Sequence, residues 1–287
     1  MSLRTRNGYR CCQVCGHEML ASGQTQTYIV NDVLSLPEPA ATDYLVASQS
    51  VLAVMVSRSS RFLVDIGAAS GRFLHHNRRI YERILGIEIT PECAAFARDQ
   101  LGIPIEPVLP RDIPPPSVVT MWHTLEHMPA DSIDAMLTIL SDISDNDTSL
   151  LVAVPNARSL QYRIFGKRYA YYDVPNHLHQ FTSQSLDILM NRYGFERERS
   201  FAFADYIIFG YVQSLLNLFN AVHNYQYFRM KRGFTFDLSD RELMRLDRFN
   251  VALVPVVLPI GFVLAAVDWC SRRRRAVVTE SYKRKRR

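Results

Sequence analysis

RFLVDIGAASGRFLHH, residues 61–76, is the stretch on which the fold turns. Phe62 to Ile66 is an apolar run with no room for a helix, which suits a parallel strand buried on both faces. It stops at Gly67. GAASG then permits a tight turn into a helix: Gly67 and Gly71 supply backbone freedom, while Ala68 and Ala69 leave little side chain in a ligand's way. The next strand, RILGIEIT, ends at Glu88, about twenty residues beyond the turn, where a carboxylate can accept hydrogen bonds from both hydroxyls of a ribose. A Gly-rich turn alone is as common without a ligand as with one. The acidic residue at the second strand's end is what makes this pair a nucleotide-type site.

Outward from this core, residues 43–57 repeat apolar side chains at helical spacing, and a helix follows Glu88 at Pro91 to Leu101. Strands IPIEPV, PSVVTMW and SLLVAVPN then alternate with a helix around Ser132 to Ile143, the pattern of a doubly wound parallel sheet. ERERSFAF (196–203) alternates well enough for a sixth strand, and AVVTESY (Ala276 to Tyr282) for a seventh. The expected class is therefore α/β, Rossmann-like.

Charge narrows the partners. The chain of 287 residues carries a net +5, yet SRRRRAVVTESYKRKRR, Ser271 to Arg287, alone carries +8 and leaves −3 for residues 1–270. With basicity confined to the terminus and no aromatics among the arginines, nucleic acid is not expected, and an anionic membrane surface fits better. Cys11, Cys12, Cys15, Cys93 and Cys270 are odd in number and follow no apolar signal core, which suggests a reduced, cytoplasmic protein. Cys12 and Cys15 form a single CxxC. A structural zinc site wants four ligands, and only Cys11 and His17 lie near in sequence, so an unmetallated arm over residues 1–42 is the expectation.

Two uncharged stretches, Tyr206 to Val222 and Val251 to Val267, lie between strands six and seven. Pro255 and Pro259 should kink or break a helix in the second. Because the flanking strands must join one sheet, the chain must leave and return on one side, which excludes a single membrane crossing. The stretches could dip into a membrane, cross as a pair or cap the sheet.

HTLEH, His123 to His127, spells the inverted zinc-protease motif, which needs both histidines on one face of a long helix. His123 falls two residues after VVTM, at a strand exit, so that helix is not expected.

VDIGAASG (Val64 to Gly71), GIEIT, TMWHTLEHMPAD, VAVPN and HLHQFTSQSLDILMNRYGF occur in the order seen in class I S-adenosylmethionine-dependent methyltransferases, which the chain resembles over roughly residues 45–200. Two departures are Ala69 for the motif's middle glycine and Ser117 for the aspartate that usually opens the fourth strand. LEH after the fourth strand and HL…FT…SL after the fifth resemble the branch that methylates glycans and polyprenyl or quinone compounds. The resemblance implies a seven-stranded, mostly parallel sheet whose last strand is antiparallel. The domain would be built from residues 43–203 and 276–282, with 204–275 as an apolar helical insertion and 283–287 as a basic tail. It implies S-adenosyl-L-methionine as cofactor, with Asp65 and the Gly67, Ala69, Gly71 turn at its amino-acid end and Glu88 on its ribose. Asp112 would face the adenine amino group, and Trp122, with His123 beside it, would pack on the cofactor.

Methyl transfer from a sulfonium is an in-line displacement, so the protein must align the acceptor and, for a hydroxyl, take its proton. His177 is the expected base and His127 the second choice. His179 shares a side with His177 if NHLHQF is extended. His123, Glu126 and His127 are metal-capable, though a turn-bracing role is the plainer expectation and no metal is assigned. The leading function is O-methylation of a membrane-associated or lipid-linked saccharide or polyprenyl acceptor. The alternatives are an inactive binding protein on the same fold and, more remotely, a zinc hydrolase.

Overall fold

The computed structural model describes residues 3–6, 9–20, 39–174, 176–202, 204–229, 236–270 and 277–285. Along the chain come β1 (Leu3–Arg6), β2 (Tyr9–Cys12), β3 (Glu18–Leu20), α1 (Pro39–Val56), β4 (Phe62–Ile66), α2 (Arg72–Asn77), β5 (Arg83–Ile87) and α3 (Pro91–Leu101). There follow β6 (Ile105–Glu106), β7 (Val118–Trp122), α4 (Ala130–Ile143), β8 (Ser149–Pro155), α5 (Leu160–Phe165), β9 (His179–Gln180), α6 (Ser183–Arg192) and β10 (Phe195–Phe201). The chain ends with α7 (Ala204–Phe219), α8 (Tyr225–Arg229), α9 (Asp240–Cys270) and β11 (Val277–Arg284).

Every residue of β4 and of β8 is buried, as unbroken apolar runs demand of strands covered on both faces. The seven-stranded sheet has the order β10-β11-β8-β7-β4-β5-β6, with β11 antiparallel to both neighbours and the other pairs parallel. Side chains alternate along the strands, so Phe62, Val64 and Ile66 join Leu137, Leu140, Leu186 and Met190 of α4 and α6, while Leu63 joins Ala53, Leu74 and Ala97 of α1, α2 and α3. Both faces are thus sealed. Ligand space is left beyond the carboxyl ends of β4, β5 and β7, where an open parallel sheet accepts ligands.

Two expectations change. Residues 9–20 do not form a loose arm: β2 and β3 make a hairpin that, with β1 and β9, builds a second, four-stranded antiparallel sheet. The hairpin finds its outer partner far along the sequence, in β9. The rest of the expected arm, 21–38, lies outside the described residues. Further, α9 continues through Pro255 and Pro259 instead of breaking. Both prolines are exposed, so the backbone bonds they cost lie away from the buried side of α9, where packing against α7 holds the helix.

Candidate active site

The turn after β4 is bonded to its neighbour strand: the N–H groups of Gly67 and Ala68 donate to Ile87 O at 2.8 and 3.0 Å. Gly67 has φ +77°, and a Cβ there would sit 2.3 Å from Thr124 Oγ1, so glycine is required both by backbone angle and by space. Ala69 also takes a left-handed angle, φ 49°, where the related motif has its middle glycine. Its N–H donates to Glu88 Oε2 and that of Thr90 to Glu88 Oε1, each at 2.8 Å. The Glu88 carboxylate therefore holds the turn to the end of β5. Asp65 is buried and accepts a 2.6 Å bond from Thr120 Oγ1. Burial pushes it up to about 7, with Glu88 adding to the rise and Thr120 opposing it. A cationic amino-acid end bound at the turn would favour its ionised form.

The loop after β7 supplies the second half. Thr124 Oγ1 donates to Ile66 O at 3.0 Å, tying this loop to the turn. Trp122 sets its ring edge-on to Phe73 at 5.7 Å between centroids. His123 has φ 53° and stacks on Tyr171, and one ring nitrogen lies 3.2 Å from Glu126 Oε1. Leu125–His127 form a single 3-10 turn, so HTLEH is not on a long helix and the zinc-protease geometry is absent.

Glu126 is fully buried, and although burial opposes its charge, the His123 hydrogen bond and the surrounding histidines hold its pKa below the usual carboxylate range. The rings of His127 and His177 meet edge to face at 4.6 Å. Donor atoms of Glu126, His127 and His177 all lie within 4.8 Å of one another, a spacing that one cation could bridge, and His177 rather than His123 completes that group. His127 Nδ1 lies 3.1 Å from Asn176 O. A carbonyl only accepts, so Nδ1 is the donor in this bond. Burial, then the neighbouring His127, pushes His177 down to about 4, so it is neutral and able to take a proton near pH 7.

His177 and His179 do not share a site. His179 faces His17, 3.1 Å between ring nitrogens, and Phe181. His17 is thereby packed against His179 and Phe181, and burial, then His179, pushes it down to about 4. Among the described residues, no group of three or more metal-capable side chains gathers around Cys12 and Cys15. Asp112 is exposed on the loop after β6. The sequence did not reveal what steadies His177: the buried Tyr9 hydroxyl donates to His177 O at 2.8 Å, and His177 N donates to Asp173 O at 2.6 Å. Glu126, expected to brace its turn or to serve as a metal-capable group, bonds His123 within that turn and is held ionised among three histidines.

A lowered histidine contributes stability that is complete above the ordinary value near 6.5 and lost as pH falls through that range toward about 4. Asp65, shifted upward, acts oppositely: its contribution is present below its ordinary value and lost as pH rises toward 7. In an NMR titration the ring resonances of His177 and His17 should keep neutral positions through pH 6.5 and move only near 4. Movement centred at 6.5 would contradict their burial as neutral groups.

A doubly wound sheet with a Gly-rich turn after β4, an acid after β5 and an aromatic after β7 defines a nucleotide-cofactor protein of the class I methyltransferase type. A family model described as a methyltransferase domain matches residues 45–199, more than half of the 287-residue chain, and the chain belongs to that family. It is an S-adenosylmethionine-dependent methyltransferase. Among solved structures, the fold is similar to that of mycolic acid cyclopropane synthase CmaA1 in complex with SAH and CTAB, at 11% identity and TM-score 0.51, covering 83% of this chain and 84% of that one. It is also similar to a protein from Galdieria sulphuraria assigned as a sarcosine dimethylglycine methyltransferase, at 12% identity and TM-score 0.50, covering 86% of each chain. No curated protein matches the sequence significantly.

Proposed function

We propose that the enzyme O-methylates a membrane-associated or lipid-linked acceptor, a saccharide or polyprenyl compound, at the cytoplasmic face of a membrane, with His177 as base. The observation that carries the base is the buried His177, held neutral by its burial and packed edge to face on the half-buried His127, beside the ionised Glu126 on a loop tied to the turn after β4. When bound, S-adenosylmethionine supplies the methyl group and departs as its demethylated thioether. The turn from Gly67 to Gly71 and Glu88 would hold the cofactor, with Trp122 and Tyr171 walling the space beyond the strands. His177 accepts the proton as the acceptor oxygen forms its new bond to carbon. The charge then on His177 lies near Glu126, which favours it. His127, whose ring adjoins His177, is the second candidate for that role.

The test is transfer of a labelled methyl group to extracted lipids of the source membrane. The expected product partitions into organic solvent and keeps its label through mild alkali, as an ether does. Label released by alkali, or found only on water-soluble acceptors, would overturn this assignment.

A further inference from the structure

We infer that α9 is a membrane-docking face that lies in the plane of an anionic lipid surface and does not cross it. By length and composition α9 is the one helix among the described residues able to span a bilayer, yet only 22% of its most apolar stretch is buried. Its buried positions, Asn250, Val257, Gly261, Ala265 and Asp268, recur at helical spacing and form one stripe. That stripe faces α7. Asn250 and Asn220 exchange amide hydrogen bonds at 3.0 Å, a Cβ on Gly261 would lie 2.6 Å from Val212 Cγ2, and Asp268 bonds Tyr211. The side of the helix away from this stripe is exposed between Val251 and Trp269, at Val256, Leu258, Ile260, Phe262, Val263 and Val267 among others.

What covers this face is indicated by what borders it. From Phe249 to Val267 there is no charged side chain. Trp269, half exposed, follows, and four arginines, Arg272 to Arg275, come directly after the helix in sequence. An apolar strip closed by tryptophan and then by clustered arginine is complementary to a bilayer whose headgroups are anionic.

The orientation follows from α7, which is fixed to the catalytic domain along its whole length. Gln161 Nε2 donates to Ile207 O at 2.9 Å, Ala170 N to Ser214 Oγ at 2.9 Å, Asn217 Nδ2 to Arg168 O at 3.1 Å, and Arg168 to Asn220 O at 3.1 Å. A hairpin pinned by polar contacts at both ends of α7 cannot turn away from the domain to cross a bilayer without unmaking them. α9, about 46 Å long for its 31 residues, therefore rests as an outer layer with its free side toward lipid. Ala170, bonded to Ser214 of α7, is followed by Tyr171, which stacks on His123, so α9 is joined through α7 to one wall of the candidate site. This inference deepens the reading of a membrane-associated acceptor but does not depend on which atom is methylated.

Flotation of the full chain with vesicles of phosphatidylcholine alone, or of phosphatidylcholine with phosphatidylglycerol, tests it. Wild type should float with the anionic vesicles and much less with neutral ones. V256E/V263E should lose flotation by an order of magnitude while retaining S-adenosylmethionine binding, which shows that it folds. With vesicles bound, Cys270 and an Arg241→Cys thiol should both react with a membrane-impermeant maleimide added outside. Protection of one end alone would show a crossing and overturn the in-plane placement. Wild type that fails to float, V256E/V263E that floats as well as wild type, or a wild-type dimer that V256E/V263E dissociates would overturn lipid as the occupant. Loss of cofactor binding in wild type would count against the enzymatic reading and leave the flotation result standing.

Discussion

Replacing His177 by alanine should lower kcat by about a hundred- to ten-thousandfold and leave S-adenosylmethionine affinity within a factor of a few. The expectation rests on position: His177 adjoins His127 and Glu126 in the loop cluster, whereas the cofactor turn is built from β4, Gly67 to Gly71 and Glu88. His177→Gln should lose nearly as much, because an amide keeps a polar side chain but cannot take the proton. His127→Gln should lose less. Equal losses in turnover and cofactor affinity for His177→Ala, measured by steady-state kinetics and calorimetry, would remove His177 from the base role.

Gly67→Ala should cost about 2–4 kcal/mol, divided between stability and cofactor affinity, which is about a five- to thirtyfold loss of affinity if half falls on binding. The residue sits at φ +77°, an angle alanine opposes, and the added methyl would meet Thr124 Oγ1 at 2.3 Å and Cγ2 at 2.6 Å. Thr124 cannot simply turn aside, since its hydroxyl bonds Ile66 O. A second change, Thr124→Gly, should recover the steric part and leave the backbone part. Urea unfolding with cofactor titration separates the two. A Gly67→Ala protein with unchanged midpoint and affinity would show that the turn does not have this conformation.

Local, short-range features of the molecule were legible in its letters. Phe62 to Glu88 contains the strand, turn, strand and acid of the candidate cofactor site within one unit, so periodicity and glycine placement sufficed for the strands and the turn. The sixth and seventh strands were legible for the same reason, from alternation at 196–203 and 276–282. Contacts that join distant segments were not. The Tyr9 bond to His177 spans 168 positions, and the pairing of β3 with β9 gives no sign in either short strand. His177 beside Glu126 was equally hidden, because nothing in NHLHQF says which of His177 and His179 turns toward the loop after β7. α9 illustrates a different failure, in which a local rule against internal prolines yielded to packing along the opposite face.

The central claim is that Glu88 and the turn after β4 bind S-adenosylmethionine, and calorimetry with wild type and Glu88→Ala tests it most directly. Wild type should bind the cofactor and its demethylated product at one site per chain. Glu88→Ala should bind about a hundredfold more weakly, having lost the carboxylate that holds Ala69 N–H and that, on this account, accepts from the ribose. Absence of binding in wild type, or equal affinity in the two proteins, would contradict the account.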